Sequence, residues 1–256
     1  ALITGASGGI GYELAKVFAR EKRNLALVAR NEQKLRAIAD ELTAKYGVRV
    51  FVFPKDLSTV DSATELYKAM QEQDLHADIL VNNAGFGNFG FFAETPWEKE
   101  LEMINLNITA LAALTKLFVK DMVARKSGRI MNVASTAAFQ PGPLMAVYYA
   151  TKAFVLSFSE ALANELKGTG VTVTALCPGP TESGFQDAAA MQDSKLVKGK
   201  KMPTSQDVAE YGYKAMMNGN VVAVHGLMNK IMAQSVRYTP RAIVRSLVRA
   251  MSERTT

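Results

Sequence analysis

Tyr148 and Lys152 stand four residues apart in the run Tyr148-Tyr149-Ala150-Thr151-Lys152, a spacing that puts two side chains on one face of a helix. A free phenol loses its proton only near pH ~10, but an ammonium held within a few ångströms stabilises the phenolate and moves that value toward neutrality. The pair therefore reads as an acid–base device. Tyr149 is three residues from Lys152 and satisfies the same spacing argument, so the pattern alone leaves the choice of phenol open. Ser135 could steady a reacting oxygen, and so could a cap of the turn that follows it. Asn105 and Asn107 are candidate polar groups inside a long helical stretch, where an asparagine also serves simply to fill a kink.

A second chemical feature opens the chain. Thr4-Gly5-Ala6-Ser7-Gly8-Gly9-Ile10-Gly11 joins an apolar run to a helical one. Glycines let a backbone approach a phosphate, and a helix N-terminus offers unpaired N–H groups with a partial positive charge. The spacing Gly5-x-x-x-Gly9-x-Gly11 differs from G-x-G-x-x-G, so this turn alone could be no more than a tight connection. About 20 residues further on, dinucleotide folds place an acid for the ribose hydroxyls or an arginine for a 2′-phosphate. Here the run Leu27-Val28-Ala29-Arg30 supplies a guanidinium and no acid, which favours NADP(H) over NAD(H) by charge complementarity. Asp56 is placed to accept from an adenine amino group, or to cap a helix beginning near Thr59.

The elements that must hold these groups follow from the apolar pattern. Short β-branched or apolar runs at Ala1–Thr4, Leu25–Val28, Val48–Phe53, Asp78–Asn82, Arg129–Val133, Val171–Leu176 and Val221–Val224 predict seven strands. Their near-continuous apolarity suits strands buried on both faces, and their alternation with helices implies parallel pairing with right-handed crossovers. Helices are expected over Gly9–Lys22, Glu32–Tyr46, Val60–Gln73, Pro96–Lys126, Leu144–Lys167 and Ser205–Asn218. The fold class is α/β, a single-domain Rossmann fold with a doubly wound seven-stranded parallel sheet and helices on both faces. Ligands of such sheets bind beyond the carboxyl ends of the strands. The glycine-rich turn, Asn82-Asn83-Ala84-Gly85, Ser135 and Cys177-Pro178-Gly179-Pro180-Thr181 all fall there.

Taken in order, Thr4-Gly5-x-x-x-Gly9-x-Gly11, Asp56-Leu57, Asn82-Asn83-Ala84-Gly85, Asn107, Ser135, Tyr148-x-x-x-Lys152 and Pro178-Gly179 resemble the short-chain dehydrogenase/reductase (SDR) family across nearly the whole chain. The resemblance implies hydride transfer between nicotinamide C4 and a carbonyl or alcohol carbon. It selects Tyr148 over Tyr149, because Ser135 lies thirteen residues before Tyr148, and Asn107 over Asn105. By resemblance, Tyr148 donates or accepts the proton and Ser135 hydrogen-bonds the same oxygen. Lys152 lowers the tyrosine pKa and holds the nicotinamide ribose, and Asn107 binds a water linking Lys152 to solvent. The cofactor would rest on Gly5, Ser7, Gly9, Ile10, Gly11, Arg30, Asp56, Leu57, Asn83, Ala84, Gly85, Tyr148, Lys152, Pro178, Gly179 and Thr181. Pairing of subunits through the helices at Pro96–Lys126 and Leu144–Lys167, giving a homodimer or homotetramer, is likewise implied by resemblance only.

The 256 residues are 48% hydrophobic, enough for one sizeable core. One Cys177 excludes an internal disulfide, and two histidines, His76 and His225, cannot build a usual His/Cys metal site. No apolar run approaches the roughly 20 residues of a membrane-spanning helix. The chain opens directly on strand residues, as though the start of that strand lay upstream, and a cytoplasmic enzyme is expected. Charge is uneven: residues 195–256 carry eleven Lys/Arg against three Asp/Glu, residues 1–194 nineteen against twenty-one. No nucleic-acid module or interleaved aromatic pattern accompanies the basic quarter, so nucleic acid is not an expected partner.

Phe86, Phe89, Phe91, Phe92, Phe139, Met145 and Phe185 are expected to rim the cleft or to pack beneath its loops, and the first placement suggests an apolar or bulky carbonyl or alcohol. A stretch at about 181–204 is long for a connection and is expected to act as a lid. Its Lys195, Lys198, Lys200 and Lys201 would suit an acidic carrier or a 3-oxoacyl thioester if they are more than a solvated surface. A basic C-terminal helical segment at about 226–252 alternates Arg241, Arg245 and Arg249 with Ile243, Val244, Leu247, Val248 and Met251. Packing on its own domain or on a sister subunit is the expected placement, with an anionic membrane surface as the alternative. Among other functions, a non-catalytic dinucleotide-binding regulator would not need the Tyr148–Lys152 pair, and a nucleotide-sugar epimerase or dehydratase would need a larger C-terminal part.

Overall fold

The computed structural model describes residues 1–185 and 202–253. Most of the expected lid, including Lys195, Lys198, Lys200 and Lys201, lies outside the described residues. Seven parallel strands form one sheet in the order β3-β2-β1-β4-β5-β6-β7, with β1 Leu2–Thr4, β2 Leu25–Ala29, β3 Val50–Pro54, β4 Ile79–Asn82, β5 Gly128–Val133, β6 Val171–Cys177 and β7 Val222–Val224. The chain builds outward from β1 through β2 to β3, then returns to β1's other side with β4. That reversal opens a crevice between the carboxyl ends of β1 and β4.

The period-2 pattern of the strands explains how both faces of the sheet are filled. Leu2, Leu80 and Ile130 point to one face; Ile3, Val81 and Met131, each the next residue, point to the other. Helices α1 (Gly9–Arg20) and α2 (Glu32–Tyr46) cover the second face through Leu14, Phe18, Leu35 and Leu42. Helices α3 (Ser62–Glu72), α4 (Trp97–Ile104), α5 (Leu111–Ala124) and α6 (Ala146–Glu165) follow, with α3 and α5 covering the first face through Leu66, Met70, Leu114 and Phe118. Then come α7 (Ser205–Met217), α8 (Leu227–Ser235) and α9 (Arg241–Ser252). Local chemistry sets several ends. Asn31 caps α2 by accepting from the Lys34 N–H at 2.9 Å, Gly47 closes it in a left-handed conformation, and Thr204 with Asp207 forms a reciprocal capping box on α7.

The helix expected over Pro96–Lys126 is interrupted. A π-helical turn at Asn105–Ala110 separates α4 from α5, and it turns Asn107 inward, to 1% exposure. The span Trp97–Ala124 is, by length and composition, long and apolar enough to cross a membrane, with mean hydropathy 1.3, an exception to the expectation that no stretch would qualify. Its apolar residues Leu111, Leu114, Phe118 and Met122 are buried against the sheet and α3, the position of a core helix. The C-terminal segment is likewise two helices, broken at Thr239-Pro240, since Pro240 cannot donate within a continuing helix.

A buried polar ladder crosses this core. Asn82 donates to Thr115 Oγ1 at 3.0 Å and to Asn132 Oδ1 at 2.9 Å, and Asn132 donates to Ser159 Oγ at 2.9 Å. It ties β4 and β5 to the helices that carry Asn107, Tyr148 and Lys152.

Candidate active site

The glycine-rich turn is held against the end of β4 by contacts that tolerate no side chain. Asn83 Nδ2 donates to Thr4 O at 2.9 Å and Gly5 O at 3.2 Å, while Thr4 Oγ1 accepts from the Asn83 and Ala84 N–H groups at 3.0 and 2.9 Å. A Cβ on Gly11 would collide with Gly5 O and lie 2.5 Å from Asn83 Nδ2, and one on Gly5 would lie 2.9 Å from Ala84 Cα. Gly5 and Gly9 also have φ of +67° and +53°, the left-handed region glycine favours. At Gly8, in contrast, a Cβ would meet nothing within 4 Å among the described residues. Ser7 and Ile10 flank it, Ile10 packing on the core.

A cleft of about 350 Å³ adjoins this turn, lined by Gly9, Glu13, Glu182, Ser183, Thr204, Ser205 and Gln206. The sequence reading missed Ser183 and Ser205, which a Cβ on Gly9 would meet at 3.4 and 3.9 Å. Their distance from the turn in sequence hides them.

Arg30 stands at the end of β2 with its side chain 71% exposed, 3.5 Å from Glu102 across the crevice. Asp56 lies nearby and accepts from Ser58 N at 2.9 Å and Ser58 Oγ at 2.7 Å. Burial pushes the Asp56 carboxyl up, but the two Ser58 hydrogen bonds and the Arg30 charge outweigh it, and the group sits below the usual carboxylate range. Leu57 is a core residue at 5% exposure, so only its main chain is left for a nucleotide. This surround fits a nicotinamide dinucleotide: a cradle of glycines that a Cβ would fill, the N-terminus of α1 beside it, and an exposed guanidinium at the β2 end.

The catalytic candidates converge beyond β4, β5 and β6. Ser135, extended at the end of β5, accepts from the Ala137 N–H at 3.1 Å and donates to Pro178 O at 3.4 Å, and its hydroxyl lies near enough to the Tyr148 phenol to favour the phenolate. One helical turn on, the Lys152 ammonium donates to Val133 O at 2.8 Å and lies 5.8 Å from the centre of the Tyr148 ring. Gly85 brings the main chain close, since a Cβ there would be 2.8 Å from Asn107 Oδ1 and 3.6 Å from Lys152 Nζ.

Asn107's side chain is occupied by neighbours. It donates to Phe86 O at 3.0 Å and Thr151 Oγ1 at 3.1 Å and accepts from Phe86 N at 3.2 Å. It fixes the loop after β4 to α6, and a water on the way to Lys152 would have to use its main chain. Thr181 is buried and donates to Gly179 O at 2.9 Å. Gly179 abuts Asn229 of α8, 2.5 Å from a built Cβ, another contact the sequence did not announce. Of the expected apolar rim, Met145, Phe86, Phe89 and Phe185 cluster with Tyr148. Phe139 packs in a separate cluster, and Phe91 and Phe92 are exposed. The ring of Phe185 sits 5.2 Å from that of Tyr148.

Burial dominates the electrostatics of the pair. It pushes the Tyr148 phenol above its ordinary value, and the neighbouring Ser135 hydroxyl offsets only part of this. Burial also pulls Lys152 down, from 10.5 to about 8. The ammonium sits beside the ring with its hydrogen bond directed to the Val133 carbonyl. The site holds a protonated phenol, a poised acid, beside a lysine close to its own titration point.

A parallel sheet with a glycine cradle at its reversal and a Ser–Tyr–Lys set beyond β5 defines a dinucleotide-linked oxidoreductase of the Rossmann type. A family model described as short chain dehydrogenase matches residues 1–194, and the chain belongs to that family. A short-chain dehydrogenase from Sphingobium yanoikuyae, solved in complex with NADPH, is 30% identical with a TM-score of 0.81, over 93% of this chain and 92% of that one. Nodulation protein G of Rhizobium sp. (strain N33) is 34% identical, over 82% of this chain and 85% of its own length. The very-long-chain 3-oxoacyl-CoA reductase of Anas platyrhynchos is 36% identical over 70% of this chain, which spans only 58% of that protein.

Proposed function

We propose that residues 1–256 act as one unit, an NADP(H)-dependent reductase or dehydrogenase of an apolar, bulky carbonyl or alcohol. The observation that carries this reading is the convergence of Ser135, Tyr148 and Lys152, the Lys152 ammonium 5.8 Å from the centre of the Tyr148 ring, at the mouth of the nucleotide crevice. When bound, the cofactor gives or takes a hydride at nicotinamide C4. In the reductive direction the protonated Tyr148 hydroxyl gives its proton to the substrate oxygen, and Ser135 Oγ holds the same oxygen as charge develops on it. In the oxidative direction Tyr148 takes the alcohol proton. Lys152 holds the ribose hydroxyls, and Asn107 positions α6 and the loop at Phe86. The turn from Gly5 to Gly11 with Ser7, Ile10, Asn83, Ala84, Pro178, Gly179 and Thr181 frames the cofactor, Leu57 by its main chain. Arg30 meets the 2′-phosphate, and Asp56 faces the adenine.

Met145, Phe86, Phe89 and Phe185 around Tyr148 support an apolar substrate. A second reading, reduction of 3-oxoacyl thioesters, has the support of the relative named for that activity. Assembly of Ser135, Tyr148 and Lys152 in one place argues against a non-catalytic regulator. The proposed setting is cytoplasmic, with a homo-oligomer formed through α5 and α6; Phe154 stacked on Phe158 along α6 leaves an apolar surface suited to it.

The test follows NADPH oxidation against ketones, aldehydes and 3-oxoacyl thioesters, in the wild type and in Tyr148→Phe. Turnover by the variant should fall by about a hundredfold or more while nucleotide fluorescence reports unchanged cofactor binding. Near-normal turnover in Tyr148→Phe rejects the assignment.

A further inference from the structure

Eight of the fifteen large hydrophobic side chains exposed among the described residues fall between Leu227 and Met251. This concentration is unlike the single scattered residues of an ordinary surface. On α8, Leu227, Met228, Ile231 and Met232 are 74, 67, 54 and 40% exposed; their i, i+1, i+4, i+5 spacing makes one apolar face, opposite the buried Ala233. Helix α9 divides into three stripes. Val244, Val248 and Ser252 face inward, Ile243, Leu247 and Met251 are exposed on one flank, and Arg241, Arg245 and Arg249 run along the other.

The charges this segment carries are almost all positive, although Glu160 shares a pocket with Lys230 and Arg237. Between Glu210 and Glu253 the sequence holds no acid, while it holds Lys214, Lys230, Arg237, Arg241, Arg245 and Arg249. Arg249 is partly engaged, 4.9 Å from the centre of the Phe91 ring and 3.4 Å from Glu253. We propose that α8 and α9 dock the protein on an anionic bilayer surface. Their exposed aliphatic side chains enter the boundary between headgroups and acyl chains, and the neighbouring cations meet lipid phosphates. A second copy on the same face would set these cations against their own equivalents, whereas an anionic lipid layer neutralises them.

The placement bears on the site. The inner residues Val244 and Val248 belong to the cluster that contains Tyr148 and Tyr149, and the buried Ser252 hydroxyl lies near enough to the Tyr149 phenol to offset part of its upward shift. The docking face and the apolar surround of Tyr148 are therefore two sides of one helix. A bilayer-dissolved carbonyl compound would reach the cleft without crossing bulk water. That delivery rests on the proposed activity; the docking itself does not.

Sedimentation with vesicles of phosphatidylcholine alone, and of phosphatidylcholine mixed with phosphatidylglycerol, tests the proposal on the whole chain. Wild-type protein should sediment with the mixed vesicles only, and less so as salt screens the attraction. Arg241→Gln with Arg245→Gln should weaken binding about fivefold for each charge removed. Ile231→Gln with Leu247→Gln should weaken it about tenfold or more, with circular dichroism and turnover of a water-soluble carbonyl compound unchanged because both side chains are exposed. Wild-type protein left in the supernatant with anionic vesicles overturns the proposal, as do both double variants binding like wild type. In the first case, an oligomer split by Ile231→Gln with Leu247→Gln in light scattering assigns the face to a second copy. Retention on immobilised polyglutamate instead assigns it to an acidic protein.

Discussion

Burying Lys152 beside a phenol sets two effects against each other. Desolvation disfavours the ammonium and the phenolate alike, so the lysine moves down and the tyrosine up. The lysine's shift has a consequence for stability. Its folded value of about 8 lies below its ordinary 10.5, so between those pH values the unfolded chain binds the extra proton and stability rises with pH. Below pH 8 both states are charged and the penalty is complete, on the order of 3 kcal/mol. Urea unfolding of the wild type and of Lys152→Met should give a stability difference that is flat below pH 8 and moves in the wild type's favour from 8 to 10.5. A difference that ignores pH would mean the ammonium is solvated. Arg30 is a second residue-scale case: Arg30→Asp removes the charge offered to a 2′-phosphate and installs an acceptor for ribose hydroxyls. The ratio of kcat/KM for NADPH over NADH should fall about tenfold to a hundredfold; an unchanged ratio would exclude Arg30 from cofactor choice. The types and spacings of Ser135, Tyr148 and Lys152 were legible in the sequence because one strand end and one helix face carry them. The direction of the tyrosine shift was not, because it is set by burial, which only tertiary packing decides.

Among the elements, periodicity located all seven strands to within a residue or two, since the inner strands are buried on both faces and the half-buried edge strands β3 and β7 are still largely apolar. The interruptions escaped it. The π turn at Asn105–Ala110 keeps helical periodicity on either side, and its cause, the Asn107 clamp on Phe86 and Thr151, is a contact between residues 21 and 44 positions apart. The ladder from Asn82 through Asn132 to Ser159 was equally hidden, each member looking like one polar residue in an apolar element. Its energetic role is testable. Asn132→Ala removes the acceptor for Asn82 and the donor to Ser159 inside a sealed core, so a cost of roughly 1–3 kcal/mol for each orphaned group is expected. Unfolding free energies should show that loss in Asn132→Ala, with Asn132→Asp recovering part of it only at low pH, where a protonated carboxyl can donate. Gly11→Ala should be worse placed still, because its Cβ meets the Gly5 carbonyl of the neighbouring turn. Loss of cofactor binding together with lowered stability is the expected result.

At the scale of the whole molecule the nucleotide crevice is a seam. It joins the β1–β3 half of the sheet, carrying the glycine turn, Arg30 and Asp56, to the β4–β7 half, carrying Ser135, Tyr148 and Lys152. A ligand that contacts both halves binds the folded state and not the unfolded chain, so it must raise stability by mass action, about 2.7 kcal/mol at a hundredfold excess over its dissociation constant. For a chain of 256 residues, that corresponds to a rise in Tm of roughly 5–10 °C. On the proposed function NADPH should produce this rise at lower concentration than NADH, because the phosphorylated form alone offers a 2′-phosphate to the guanidinium at the β2 end. Tyr148→Phe should keep most of the shift, since on the proposed function its hydroxyl serves chiefly the reacting oxygen while the glycine turn and Arg30 hold the cofactor. Arg30→Asp should lose the advantage of NADPH while retaining a shift with NADH. Thermal unfolding of the three proteins with each nucleotide separates holding from chemistry. Equal shifts with NADPH and NADH in the wild type would leave the cradle intact and withdraw the preference for the phosphorylated cofactor; no shift with either would remove the crevice as the nucleotide site.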